Sequence, residues 1–436
     1  MKVVGPVFAT RVVTLRTVAL AGQLFGVGGF SPDGFRVSGT INRWQGETGP
    51  ANVGILCVRL GSNGDDMIKK VLFFRPTLGE GGADRVQLSV LRGLDRTKYC
   101  ASLVLVKKSG PFIEDVPGDI EVIELGSRRL ALSVPALVRV LTTERPHVVF
   151  CTCSASNVIA ATAHGIARSD ARLVLSERNA LYRGRSAFHP KQSVEVALKR
   201  LLYRRADLVT AVSQGVADEL AERTGVPRTK IAVVYNPMVD DDLVTRAGDP
   251  IDHPWFAAGQ PPIVLACARL VPQKDYRTLL RAFALVRRNL TCRLWVLGEG
   301  PLRADLDRQA RDLRIAEDVN FAGFDKNPFR FMARAKLLLH ASRAEGLPGA
   351  MIQAMACGTP VVSTDCDFGP REVVTHERNG YLAPVGDVEA LAHFCMRVLT
   401  DSEHHQQLAN NARVSAQRFT SDASLARYHA AIEGNA

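Results

Sequence analysis

SRAEGLPGAMIQAMACGTPVVSTDCDFGPRE, residues 342–372, is the stretch on which the fold turns. The apolar run Leu337-Leu338-Leu339 leads into it, and a loop holding Glu345, Gly346, Leu347 and Pro348 follows. Met351, Ile352, Ala354 and Met355 then fall on the packing side of a compact helix, which Gly358 stops. Pro360-Val361-Val362-Ser363 reads as the next buried strand. Strand, polar loop, helix, glycine and strand make one βαβ unit, whose ligand lies outside the strand ends at the helix N-terminus. Unpaired amides and the helix dipole favour phosphate oxygens there. A carboxylate at the same place serves another purpose. Glu345 reads as an acceptor of hydrogen bonds from hydroxyls, which points to a sugar beside a phosphate.

Outward from this unit, strands and helices alternate from Ile68 to Tyr235 and again from Ile263, the mark of parallel sheets with helices on both faces. Strands are expected near 71–74, 101–106, 120–125, 147–151, 172–176, 207–211 and 230–235, then near 263–267, 293–297, 319–322 and 336–339. Between the two series, Asp240-Asp241-Asp242, Gly248-Asp249-Pro250 and Gly259 to Pro262 form a polar, breaker-rich link. The expected division is 67–246, 247–416 and a terminal helix over 417–436. Residues 1–66 differ, because glycine turns interrupt apolar scraps too short for a core. They read as an atypical extension, either disordered or a mispredicted start with the natural first strand opening at Met67; the rival reading is a faint signal segment over Thr17–Phe30.

Other segments fall at strand ends. Arg269 and Lys274, five apart after the first strand of the second series, can grip a diphosphate, one as a fork and the other as a point charge. Ordinary solvated cations are the plain alternative. Gly79-Glu80-Gly81-Gly82 lets a backbone approach a ligand closely, but it is not G-x-G-x-x-G and no ribose-binding acid follows, so a dehydrogenase is poorly supported. Gly298-Glu299-Gly300-Pro301 reads as a helix start with proline at its first position. Asp365-Cys366-Asp367 matches a D-x-D metal pattern, yet three-residue matches are cheap; Asp365 reads as structural and no metal is expected.

These segments together resemble the retaining GT-B glycosyltransferases of family 4. The 342–372 stretch is similar to that family's EX7E region, with Glu345 as the first acid and Gln353 where the second acid is usual. Ala268 stands for the usual glycine before Arg269, and Asp84 for glutamate in the Gly-Gly-Ala-Glu-Arg element. The resemblance implies an α/β fold of GT-B architecture, two Rossmann-like doubly wound domains facing a cleft, with a last helix returning to the first domain. It implies that Glu345 contacts the transferred sugar, and that Arg269 and Lys274 neutralise the leaving diphosphate without a metal. Gly346, Leu347, Pro348, Gly349 and Gln353 would then hold the donor, joined by Gly81 and Gly82 from the first domain and by Gly298 and Gly323. Glutamine keeps hydrogen-bonding capacity toward a ribose but not the charge. The nucleotide sugar is a substrate, so no cofactor is expected. Front-face substitution, the donor phosphate assisting the incoming hydroxyl, is the implied chemistry.

On the acceptor side, Glu177, Arg178 and Asn179 end a strand of the first domain, where Glu177 is either a base facing the cleft or a partner for Arg178. Lys191, Lys199, Arg200, Arg204 and Arg205 surround Val194, Val196, Leu198, Leu201 and Leu202 in one helix. Such a helix lies on an anionic membrane surface, or else packs its apolar side on the core. The 436 residues carry a net charge of +11, which suits an anionic partner, while no aromatic-interleaved basic cluster supports nucleic acid. Nine scattered cysteines without C-x-x-C spacing predict reduced thiols in a cytoplasm rather than disulfides or zinc. The expected function is transfer of a hexose-type sugar from a UDP- or GDP-sugar to a glycan or lipid-linked acceptor in surface polysaccharide synthesis. That work would take place in the cytoplasm, with the inner membrane face as a further contact. The alternatives are a nucleotide-sugar epimerase of the same fold and a non-catalytic nucleotide-sugar binding protein.

Overall fold

The computed structural model describes residues 68–79, 82–178, 190–240 and 242–435, without side chains for 190–193. The expected extension over 1–66 lies outside them. Runs such as Val71-Leu72-Phe73-Phe74 have no polar face, so they are stable only as strands covered on both sides. Leu72 and Phe74 enter one core while Val71 and Phe73 enter the other, following the two-residue alternation of a strand.

The first sheet contains β1 (Lys69–Arg75), β2 (Tyr99–Leu105), β3 (Glu121–Glu124), β4 (Val148–Cys151), β5 (Arg172–Glu177), β6 (Leu208–Ala211) and β7 (Ile231–Val233). The second contains β8 (Ile263–Cys267), β9 (Arg293–Leu297), β10 (Val319–Gly323), β11 (Leu337–His340), β12 (Val361–Thr364) and β13 (Gly380–Ala383). Their orders are β3-β2-β1-β4-β5-β6-β7 and β10-β9-β8-β11-β12-β13, with parallel pairing throughout both ladders. Strand order reverses between β1 and β4 and again between β8 and β11. Ligands of such sheets bind at the carboxyl ends beside that reversal. Those ends carry the Arg269–Lys274 and Glu345 loops in the second sheet.

The chain crosses between lobes at 238–240 and returns at 419–421. The two crossings are tied by Met238 N to Phe419 O at 3.2 Å, Val239 N to Phe419 O at 3.1 Å and Ser421 N to Val239 O at 2.8 Å. The final helix, Ser421–Glu433, lies on the first sheet, with Tyr428 against Phe150 at 5.6 Å between centroids and Glu433 bonded to Lys69 and Tyr99. The sequence pattern places the end of the first domain at residue 246. The helix Asp242–Ala247 instead packs with the second lobe, where Arg246 covers the Phe329 ring at 4.4 Å and its carbonyl accepts from Asn327 at 2.8 Å. Among the described residues no helix is long and apolar enough to cross a membrane.

Candidate functional site

Past β8, Ala268 N and Leu270 N donate to Leu297 O at 3.0 Å and Glu299 O at 2.9 Å, which seats the Arg269 loop on the end of β9. The approach is possible only because residue 298 is glycine. Its φ is +137°, and a Cβ would collide with the Ala268 carbonyl oxygen. Gly298 N also donates to Gly323 O at 2.7 Å, so both expected donor glycines adjoin at the ends of β9 and β10. A single 3-10 turn, Pro272–Lys274, then ends at Asp275, which adopts φ +42°. Asp275 caps the helix Tyr276–Asn289 through Thr278 and accepts from Arg343 Nε at 2.8 Å. Gln273 bonds the Ala344 carbonyl at 2.6 Å, and its own carbonyl accepts from Arg343 N at 2.9 Å. The two loops are thus bolted together on both sides of Lys274.

Lys274 Nζ forms an ion pair with Glu345 Oε1. His340 Nε2, from the last residue of β11, lies 2.8 Å from the same oxygen, and Ser342 Oγ lies 2.9 Å from that nitrogen. Oε2 of Glu345 has no partner among the described residues. Burial alone would raise this carboxyl, but the Lys274 charge and the His340 hydrogen bond outweigh it and hold the group well below the usual carboxylate range. Glu345 is therefore ionised. Burial pushes the nearby Cys267 and Cys366 thiols up to about 11 and about 12, so neither is a ready nucleophile at neutral pH. Arg269 is exposed at the same end of the sheet and makes no ion pair among the described residues. Gly346, Leu347 and Pro348 are buried beside Glu345 and lead into the helix Gly349–Ala356, on which Gln353 is half-buried with its side chain unpartnered among the described residues.

In the first lobe, Gly82 opens the helix Gly82–Arg92, and Gly81 lies outside the described residues. Arg75, at the end of β1, bonds Asp84 at 2.5 Å and Thr152 at 3.2 Å, which pins that helix to the sheet. Glu177 and Arg178 do not pair with each other. Successive residues point to opposite faces. Glu177 is fully buried against Lys199 at 3.0 Å, with Tyr203 and Asn157 as further donors. Arg178 is buried on the other face, donating to Asn236 at 3.3 Å and Tyr428 at 3.1 Å. Asn179 lies outside the described residues. Asp365 is engaged by Arg371 Nε at 2.6 and 2.7 Å.

The basic helix, Pro190–Leu202, does not fit the alternative in which its whole apolar side packs on the core, although Leu202 is buried there. Lys199 is completely buried, while Val194, Leu198 and Leu201 are 60, 42 and 62% exposed. A buried carboxylate needs a cation, and Glu177 draws Lys199 inward; Leu198 and Leu201, to either side of it along the helix, turn out. His340, Gln273 and Asp275 belong to the site without having stood out in the sequence. The signal was present for His340, a lone imidazole closing the apolar run Leu337-Leu338-Leu339 five residues before Glu345.

Residues 80–242 match the family model described as Glycosyltransferase Family 4, and residues 250–415 match the one described as Glycosyl transferases group 1. One curated relative is the N-acetylgalactosamine-N,N'-diacetylbacillosaminyl-diphospho-undecaprenol 4-alpha-N-acetylgalactosaminyltransferase of Campylobacter jejuni, 29% identical over 50% of this chain and 58% of its own length. Another is the lipopolysaccharide core biosynthesis glycosyltransferase LpsE of Rhizobium meliloti, 30% identical over 48% of this chain and 58% of its own. The chain thus spans under two thirds of either relative. Anabaena Alr3699/HepE, solved with UDP-glucose, superposes with a TM-score of 0.71 at 23% identity over 84% of this chain and 100% of that one. The fold is GT-B.

Proposed function

We propose that this chain, which joins a glycosyltransferase family 4 domain to a glycosyl transferases group 1 domain, is a retaining, metal-independent hexosyltransferase of surface polysaccharide synthesis. Its donor is a UDP- or GDP-sugar and its acceptor a glycan or a lipid-linked glycan. The observation that carries this reading is the Lys274–Glu345–His340 cluster at the strand-order reversal of the second sheet. A dianionic diphosphate entering beside Arg269 draws Lys274 off Glu345, and His340 keeps the carboxylate in place. Oε2 then accepts from a sugar hydroxyl. In the reaction the acceptor hydroxyl oxygen bonds to the anomeric carbon, the bond from that carbon to the phosphate oxygen breaks, and the hydroxyl proton passes to a phosphate oxygen. The two cations stabilise the charge that develops on the leaving diphosphate.

The relatives' lipid-linked and lipopolysaccharide substrates, together with the outward leucines of the Pro190–Leu202 helix, support work at the inner face of a membrane. Nothing in the geometry or the comparisons favours the epimerase reading. Incubation with a panel of nucleotide sugars tests the proposal. Nucleoside diphosphate release, slow without acceptor and faster with it, is the expected result; interconversion of free donors or binding without turnover overturns it.

A further inference from the structure

Glu372 belongs to the second lobe, on the single-turn helix Pro370–Val373 behind β12, yet its carboxylate serves the first. Oε1 accepts from Gly215 N at 3.0 Å, and Oε2 accepts from Gln214 N at 3.0 Å and from the Tyr235 hydroxyl at 3.1 Å. Those amides open the helix Gln214–Thr224, and Ser213 meets the Val216 amide at 3.3 Å. The helix keeps its own N-cap in Ser213, but it takes the acceptor for its first two amides, and a carboxylate for its dipole, from the other lobe. Phe368 closes the contact, lying 2.5 Å from where a Cβ on Gly215 would stand. The opposite side of the same segment leans on the Glu345 loop. Gly369, at φ +88°, sits so close that a Cβ would stand 2.7 Å from Pro348 Cδ and 2.9 Å from Gly346 O. Arg418 ties the segment to the return crossing by donating to the Glu372 carbonyl at 2.6 Å.

We propose that Glu372 is a positioning residue that couples the approach of the two lobes to the placement of the Gly346–Pro348 loop. With its carboxylate seated on Gln214 and Gly215, Gly369 backs the loop. When the lobes part, the acceptor for those two amides and the backing are lost together. The inference rests on reading that loop as the donor site.

Hydrogen exchange on the donor-free full chain, with calorimetric binding of uridine diphosphate and guanosine diphosphate, separates the two ideas. Glu372→Ala is expected to speed exchange in both 213–217 and 345–349 and to weaken the bound diphosphate about tenfold, the equivalent of one charge-assisted hydrogen bond. Glu372→Gln, which retains one acceptor, should fall between. Faster exchange confined to 213–217, with wild-type nucleotide affinity, makes Glu372 a plain helix cap and overturns the coupling. Should wild type bind neither nucleotide, the donor reading falls, and exchange at 345–349 still decides the coupling. If Glu372→Ala does not fold, Glu372→Gln carries the same comparison.

Discussion

Lys274 and His340 address the same oxygen of Glu345, and their difference decides which of them would yield to the proposed donor. A lysine ammonium on a flexible stem can leave for a diphosphate, whereas His340 ends a buried strand with Ser342 at its ring nitrogen. Lys274→Ala and Glu345→Ala are accordingly expected to lower turnover by orders of magnitude in folded protein, read by donor consumption. His340→Leu should lower kcat about tenfold, with His340→Gln partly restoring it, because a positioning hydrogen bond is worth about 1.5 kcal/mol; a change in donor KM alone would contradict this. The ionised pair also predicts a pH dependence. A carboxyl held below its ordinary value near 4.5 adds stability that is fully present above that pH and is lost as pH falls through the depressed range. Lys274→Ala should flatten that acid limb in thermal melts taken at descending pH. Gln353→Glu should tighten donor binding if the native glutamine is an uncharged ribose contact. Position after a strand end singled out Arg269, Lys274 and Glu345 in the sequence, and in the structure Lys274 and Glu345 meet while Arg269 is exposed. Position did not single out Asp275, whose work depends on a left-handed turn.

The Pro190–Leu202 helix shows where periodicity stops being informative. An amphipathic pattern announces two faces but not which one meets the sheet, and that choice was made by Glu177, a residue of another element. Lys199→Ala should cost about 3–5 kcal/mol in denaturant unfolding, because it leaves a buried carboxylate without its cation. Replacing Leu198 and Leu201 together by serine should leave the melting temperature nearly unchanged, since both are solvent-exposed. The same double variant should lose binding to phosphatidylglycerol vesicles in a sedimentation assay, with Arg200, Arg204 and Arg205 supplying the electrostatic share that added salt removes. Equal sedimentation of variant and wild type would sink the membrane reading of this face. Elements also went unread where their signal was local. The start of the helix Arg303–Asp312 was signalled by Pro301 but its extent was not, since it is mostly charged and buries only Leu306 and Ala310; the edge strand β13 is four residues long.

At the scale of the molecule, the breaker-rich link from Asp240 to Pro262 reads as a boundary in the sequence, but such a pattern does not say whether the lobes share a core. They do. One apolar cluster includes Leu72 and Val149 of the first sheet, Leu265 and Leu338 of the second, and Phe419 at the return crossing. Beyond that crossing the last helix has a separate task. Tyr428, Ala431 and Ile432 close the face of the first sheet formed by Phe73, Phe150 and Val174, and Tyr428 also receives the buried Arg178. Ending the chain at Thr420 keeps Phe419 but uncovers that face. The loss of Tyr428 and Ile432 burial alone is about 3–6 kcal/mol, and the Arg178 guanidinium, left with Asn236 but without the Tyr428 hydroxyl, adds to it. A domain's whole stability is about 5–15 kcal/mol. The truncated chain is therefore expected to show rapid hydrogen exchange across β1, β4 and β5 while β8, β11 and β12 stay protected, since the second lobe's outer core contains no residue beyond Leu408. Uniform protection in both sheets would mean that the shared cluster alone holds the first lobe, and uniform loss would mean that the two lobes unfold as one unit.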